Sequence, residues 1–510
     1  MNRNCSFIKI MAGYAWQILM IVFLSILELF PVVAEAQLRA GVAKEDITDR
    51  LAGPASDTLF VKALALDDGS QKLVIVTLDV VAIEEIGPIK NGYLDKVRTQ
   101  IQKELNIPPS HILVNASHCH GRVSADVAEL TIRAVKNACS GMARVNAGVG
   151  VGYEDRIMEN RRFKMKDGTQ TDMRRAYSLP ADEEIAAIGP VDTEIGILRL
   201  DKMNGQALAV VYNFAVHPIE GTPDGGNTAD LSGYASKTIE DNLDPGAMAF
   251  FLQGCGGDIN PIKYKDVNDP PNAEQLGNML GLSALKALKK ITPSKTGKIK
   301  LINETMDLPR ANFAERIDSM EAYQLRLMRS LRGTNMNLKT YVSSLVKYNY
   351  TSSYPSFYAH RYLHENMMGR HDMKLLDSLN RKDMENYKKN IYTMEEITRT
   401  NENLNLLRKH QAAAAGRKTI NVELMAIRIG DFALTTFPGE LTVQIGLNIK
   451  KASDLPFTFV AGYTNGYIYY APTAEQLRNT GGAQEDCDTN LAPEWQKLYE
   501  ARALELLKRL

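Results

Sequence analysis

The run Lys72–Val81 (KLVIVTLDVV) is apolar at nearly every position, and a second buried run, ending in Ile112–Val114, follows a stretch of helical spacing at Ile89–Leu105. A strand that is apolar on both faces has to be covered on both, which requires helices or another sheet around it. Val123–Ala138 again repeats apolar residues at helical intervals, so Leu38 to about Gly150 reads as consecutive α/β units. Further strand-like runs occur at Ala207–Val216, Ala247–Leu252, Val422–Ile429, Phe432–Phe437 and Phe457–Gly462, with helical patterns at Ala273–Ile291 and Pro493–Leu510. Val422–Ile429 and Phe432–Phe437 flank Gly430-Asp431 and read as a hairpin. Gly150 to about Pro190 is polar and arginine-rich and reads as a long loop with a hairpin. The expected architecture is α/β: a mixed-sheet catalytic domain made of residues 37–311 and 416–510, with helices packed on it. Residues 312–415, helix-prone and rich in Met, Tyr, Lys and Arg, form a helical insertion.

Composition narrows the function classes. The chain has 510 residues, 45% apolar and 24% charged, which are ordinary globular proportions. Sixty basic residues balance sixty acidic ones, so no global field draws in a polyanion and no nucleic-acid partner is expected. Arg3 and Lys9 precede an apolar stretch centred on Ile18–Ile26, and Val33-Ala34-Glu35-Ala36 offers an Ala-x-Ala cleavage site. Residues 1–36 therefore read as a signal peptide, with a secreted or periplasmic mature chain; an uncleaved anchor is the alternative. No later run is long and apolar enough to span a bilayer, so no transmembrane segment is expected after cleavage. Cys119, Cys139, Cys255 and Cys487 remain beyond that segment, and their spacing selects no disulfide pairing. The absence of a Cys-x-x-Cys pair argues against a thiolate zinc site.

The chemistry-bearing residues sit where strand-like runs give way to turns. In Asn115-Ala116-Ser117-His118-Cys119-His120-Gly121-Arg122, strand alternation would place His118 and His120 on one face and Cys119 on the other. His217 closes Asn213-Phe214-Ala215-Val216-His217-Pro218 before a Gly/Pro loop at 221–226, and Glu440 follows Pro438-Gly439. Two histidines and one glutamate are a recurrent ligand set for catalytic zinc, and strands that end at one sheet edge would converge there. Gln253-Gly254-Cys255-Gly256-Gly257-Asp258-Ile259-Asn260-Pro261 has glycines that let the backbone approach a ligand and present N–H groups. Arg161 and Arg162, in the long polar loop, are candidates for holding an anionic or carbonyl group. His360 and His364 stand one helical turn apart but lack the glutamate of the zinc-protease helix, and read as an ordinary exposed helix.

Five short motifs occur in an order that resembles the catalytic domain of neutral/alkaline, non-lysosomal ceramidases. They are Asn115–Gly121, Asn213–Pro218 with Ser232-Gly233-Tyr234-Ala235-Ser236, Gly257–Pro261, Pro438-Gly439-Glu440, and the block Asn465-Gly466-Tyr467-Ile468-Tyr469-Tyr470. The resemblance implies a zinc-dependent amidohydrolase of an acylated, lipid-like small molecule, with Zn2+ held by His118, His217, Glu440 and Tyr470, Tyr467 being the competing choice. It further implies His120 as a proton carrier beside the metal, Arg161 as a substrate contact, and Asp79 and Asp230 as supporting carboxylates. Gly257 and Asp258 would face substrate in their loop. Asn260 occupies the position of the family's Gly-Asp-x-Ser-Pro serine; an amide cannot form an acyl-enzyme, but it can donate a hydrogen bond to an oxyanion or orient water. The resemblance ends at Leu510, without the family's C-terminal immunoglobulin-like domain. A zinc-dependent esterase or other hydrolase of a non-lipid conjugate, and a non-catalytic metal-containing binding protein, remain the alternative readings.

Overall fold

The structure is a computed structural model that describes residues 37–174, 177–221, 227–266, 268, 271–295, 297–350 and 359–510. The expected signal peptide 1–36 and most of the Gly/Pro loop 221–226 lie outside them.

Near-continuous apolar runs form a large sheet of eight strands. Their order is Met248–Gln253, Ala207–Phe214, Glu194–Lys202, Ala143–Tyr153, Arg39–Asp46, Phe60–Asp67, Lys72–Leu78 and Ile112–Ala116. The two halves of the sheet pair only at Arg39 with Arg144 and Ala40 with Ala143. Neighbours are antiparallel except at the two ends of the sheet, where Ala207–Phe214 lies parallel to Met248–Gln253 and Lys72–Leu78 parallel to Ile112–Ala116. Parallel neighbours need a long crossover, and the helices Asp230–Asp241 and Tyr93–Leu105 supply it.

A second sheet orders Ile299–Pro309, Thr419–Ile429, Phe432–Thr436 and Phe457–Ala461. Side chains alternate along its strands. Met425, Ile427, Ile429, Leu434 and Phe459 join Leu66, Ile75, Leu113, Leu198 and Val211 in a core between the sheets. Leu424, Ala426, Ala433 and Val460 turn the other way, onto Ile445, Ile449, Trp495 and Tyr499 of the helices Val443–Ala452 and Trp495–Arg509. Helices also cover the outer face of the large sheet, through Val97, Ile101 and Val135 over one half and Leu231, Leu276 and Leu280 over the other. The fold is thus a mixed α/β sandwich with helices outside two facing sheets.

Two segments differ from the sequence expectation. The stretch from Gly150 to about Pro190, read as a long loop with a hairpin, has a hairpin of Arg162–Met165 with Gln170–Asp172, but also the end of strand Ala143–Tyr153, strand Met158–Asn160 and strand Ile185–Ile188 beside the hairpin. Gly148, Gly150 and Gly152 hide Ala143–Tyr153 from a hydrophobic pattern; a Cβ on any of them would come within 3 Å of Ile291 or Ala287. Strand Ile299–Pro309 was not expected, because its polar residues, Lys300, Asn303, Glu304, Thr305 and Asp307, break the apolar run and most of its side chains are only half-buried. It pairs along its whole length with Thr419–Ile429. The helices Ala314–Ser330, Leu338–Tyr350, Ala359–Met367 and Asp372–Ala414 lie between these two partners in the chain. Among the described residues no helix is long and apolar enough to cross a membrane.

Candidate metal centre

Three strand ends deliver three ligand groups to one point. His118 follows Ile112–Ala116, His217 follows Ala207–Phe214, and Glu440 follows Phe432–Thr436. Asn115 ties the first of these strands to the ends of the strands that neighbour the other two, Met248–Gln253 and Phe457–Ala461. Its amide nitrogen donates to Gly462 O at 2.8 Å and Thr464 Oγ1 at 2.9 Å, and its oxygen accepts from Gln253 N at 3.0 Å. His118, His217 and Glu440 are all buried, and their ligand atoms lie within 4.8 Å of one another. Gly257 permits the closeness on one side, since a Cβ there would stand 2.6 Å from Glu440 O.

The alternation expected for His118 and His120 does not hold. The strand stops at Ala116, and His118 takes a left-handed backbone, φ 69°. Such a conformation is costly for a residue with a side chain and persists only where its surroundings impose it. His118 N–H donates to Val80 O at 2.9 Å. Cys119 is fully buried and His120 is exposed, with the two imidazole centroids of His118 and His120 5.5 Å apart, edge to face. The two histidines are neighbours because of a turn rather than because they share a strand face.

Hydrogen bonding fixes both buried imidazoles. His118 Nδ1 donates to Val81 O at 2.7 Å and His217 Nδ1 donates to Gly256 O. Burial pushes His118 down to about 4, against the pull of Glu440, and also lowers His217, helped by Arg161. Burial alone would raise the Glu440 carboxyl, but the facing His118 and His217 and the Tyr467 hydroxyl hold it well below the usual carboxylate range. Near neutral pH the cluster is therefore two uncharged rings and one carboxylate. With Nδ1 holding the proton, each Nε2 presents a lone pair. Those lone pairs face Glu440 Oε2 at 3.1 Å from His217 and 3.5 Å from His118. Acceptors converging on acceptors leave the space between them suited to a cation, and this donor set fits zinc.

Three tyrosines surround the cluster. Tyr463 donates to Glu440 Oε2 at 3.1 Å, and Tyr467 donates to Glu440 Oε1. Tyr470 is held differently: its hydroxyl accepts from Arg161 Nη2 at 3.1 Å, and its ring stacks 6.5 Å from that of His217. Burial, and then Glu440, raise the Tyr470 phenol well above its usual value. Arg161 is anchored by Glu485 Oε1 at 2.5 Å and Gly257 O at 2.7 Å, and its Nη1 reaches Asn260 Oδ1 at 3.4 Å. Asn260 is buried, and its Nδ2 has no hydrogen-bond partner.

Other expected residues have internal duties. Arg162 is locked onto Glu485 at 3.0 Å and Asp486 at 2.8 Å, away from any substrate role. Gly257 N–H donates to Leu441 O at 2.9 Å, and Asp258 Oδ1 accepts from Val443 N at 2.8 Å at the start of a helix. Asp79 accepts from Phe60 N at 2.8 Å and Asp230 from Gly221 N at 2.7 Å; backbone carbonyls, not these carboxylates, orient the imidazoles. His360 and His364 are exposed on their helix. Tyr463 and Glu485 were missed in the sequence. Tyr463 had a faint signal, as the first of several tyrosines following one strand, whereas Glu485 had none.

A mixed α/β sandwich with a buried two-histidine, one-carboxylate cluster at its strand ends is the class that fold and site define. Among solved structures the chain is similar to the neutral ceramidase from Pseudomonas aeruginosa, with a TM-score of 0.57 and 15% identity over 93% of this chain and 75% of that one. A structure described as ceramidase complexed with C2 matches equally, at TM-score 0.57 and 16% identity over 93% of this chain and 76% of that one. At this identity the likeness is one of fold. No protein-family model and no curated protein matches the sequence.

Proposed function

We propose that the protein is an exported zinc-dependent hydrolase that cleaves the amide bond of an N-acylated, sphingolipid-like substrate. Residues 37–311 and 416–510 form the catalytic part, 312–415 an insertion and 1–36 a signal peptide. The observation that carries this reading is the convergence of His118, His217 and Glu440, all buried, with ligand atoms within 4.8 Å of one another. His118, His217 and Glu440 would hold the metal, with Tyr470 as a fourth, displaceable oxygen. Zinc bound there supplies Lewis acidity, which polarises a carbonyl and lowers the pKa of water to about 7.

The chain's own groups do the rest. Tyr463 and Tyr467 fix the Glu440 carboxylate so that it cannot rotate away from the rings. Arg161 and the unpartnered Nδ2 of Asn260 are donors for the oxyanion that develops as the amide carbon becomes tetrahedral. His120, exposed beside His118, takes the proton from attacking water and returns it to the leaving amine. No acyl-enzyme forms in this scheme, so asparagine at position 260 is compatible with turnover. The fold shared with neutral ceramidases supports an N-acyl amide as the bond cleaved.

The test is turnover of a panel of N-acyl amides before and after chelation. Activity should vanish on chelation and return with zinc, and Asn260→Ala should lower kcat by about 10²–10³ with little change in KM. Turnover that survives both chelation and His118→Ala would contradict the proposal.

A further inference from the structure

A cavity of about 230 Å³ adjoins the tyrosine block of the candidate metal centre. Tyr467, which donates to Glu440, is part of its wall, with Tyr469 beside it. Arg310, Lys409 and Arg417 also line it. These side chains come from the end of strand Ile299–Pro309, the last turns of helix Asp372–Ala414, and the turn after that helix. Arg310 is about a hundred residues from the other two in sequence and is brought to them only by the fold.

The three cations meet neutral partners. Arg310 Nη2 donates to Asn490 Oδ1 at 2.6 Å, while its buried Nε has no partner. Arg417 donates to Ala413 O at 2.9 Å and Ala414 O at 3.2 Å at the helix C-terminus. Lys409 Nζ stands 4.4 Å over the Tyr469 ring. Two acidic groups lie nearby. Glu85 is exposed in the wall and accepts from Asn91 Nδ2 at 3.3 Å, and Asp488 Oδ1 is engaged by His410 Nε2 at 2.7 Å. Among the described residues, neither is within ion-pair distance of the three cations. Burial, and then the neighbouring Arg417, lower the Arg310 guanidinium from its usual value.

Like charges crowded together and a buried N–H left unpaired both carry a cost, and an oxyanion removes both. A cavity below the roughly 300–1,000 Å³ of drug-sized sites admits a compact group but not an acyl chain. We infer that this cavity binds a compact oxyanion, of the phosphate, sulfate or carboxylate kind, through Arg310, Arg417 and Lys409, next to the Tyr467 side of the metal centre. The anion has two possible sources, free in solution or carried on the substrate.

Inorganic phosphate titrated calorimetrically into the full chain tests the site, with His118→Ala titrated in parallel to exclude binding at the metal centre. Saturable binding should persist in His118→Ala and weaken at least about tenfold in Arg310→Gln and in Arg417→Gln, with circular dichroism unchanged. The absence of saturable binding, or binding that both arginine variants retain at full strength, would overturn the inference. A second arm compares KM for amide substrates with an anionic or a neutral end group. A lower KM for the anionic substrate that is lost in Arg310→Gln assigns the anion to the substrate. Phosphate binding without that discrimination assigns it to solution. The titration does not depend on amide hydrolysis, so its failure is distinct from failure of the proposed activity.

Discussion

Glu440 is a buried carboxylate whose oxygens receive two tyrosine hydroxyls and face two imidazole edges, so its orientation is set before any ligand arrives. Tyr463→Phe removes one of those hydroxyls without changing the ring packed 4.4 Å from His118. Loss of such a supporting bond should weaken metal affinity by about 10–100-fold, measured by chelator competition, with the fold intact. Glu485 plays the corresponding part for the arginines. It is fully buried between Arg161 and Arg162, which hold its carboxyl below the usual range although burial opposes them. A carboxyl depressed in the folded state adds stability above its unfolded pKa and loses it as pH falls through the lower folded value. Glu485→Gln should therefore cost about 3–5 kcal/mol near neutral pH, by leaving the buried Arg161 without a carboxylate partner and Arg162 with Asp486 alone. In melting curves recorded across acidic pH, its deficit relative to the unmodified chain should shrink as pH falls. A deficit independent of pH would count against this role. Sequence reading could propose His118, His217 and Glu440 from residue type and position at strand ends. It could not see Glu485, whose importance arises only from a contact with Arg161 more than 300 residues away in sequence.

At the scale of elements, the apolar runs were legible because they are buried on both faces. Lys72–Leu78, Ile112–Ala116, Ala207–Phe214 and Met248–Gln253 all match runs read as strands to within a few residues at their ends. Their ends were less legible: the His118 turn replaces the strand expected to continue to His120. Strands that owe their place to pairing escaped altogether, as with Ile299–Pro309, or hid behind glycines, as with Ala143–Tyr153. What joins the elements at the site is the side chain of Asn115, bonded to Gly462, Thr464 and Gln253. Asn115→Ala leaves the Gln253 N–H and the Gly462 carbonyl in a buried setting without these partners. It should lower stability by about 2–3 kcal/mol in denaturant titration and loosen the metal cluster. A variant as stable as the unmodified chain would show that the strand ends are held by packing alone.

At the scale of the whole molecule, two facing sheets between helical layers bring residues from opposite ends of one large sheet, and from a second sheet, to a single buried point. The α/β class and the existence of a helical stretch could be read from hydrophobic periodicity. The closing of the sheet ends upon each other could not, because nothing in sequence separation encodes distance. The pairing of Ile299–Pro309 with Thr419–Ile429 sets Arg310 beside Arg417 in the basic cavity at the tyrosine wall of the metal cluster. A fold shared with neutral ceramidases at 15–16% identity leaves the chemistry to be decided by the site itself. Everything proposed about that chemistry depends on His118, His217 and Glu440 holding a metal. The most direct measurement is the elemental content of the purified full chain and of its Glu440→Gln variant. The account predicts one zinc per chain in the former and almost none in the latter; a folded, unmodified chain that retains no metal after incubation with zinc would contradict it.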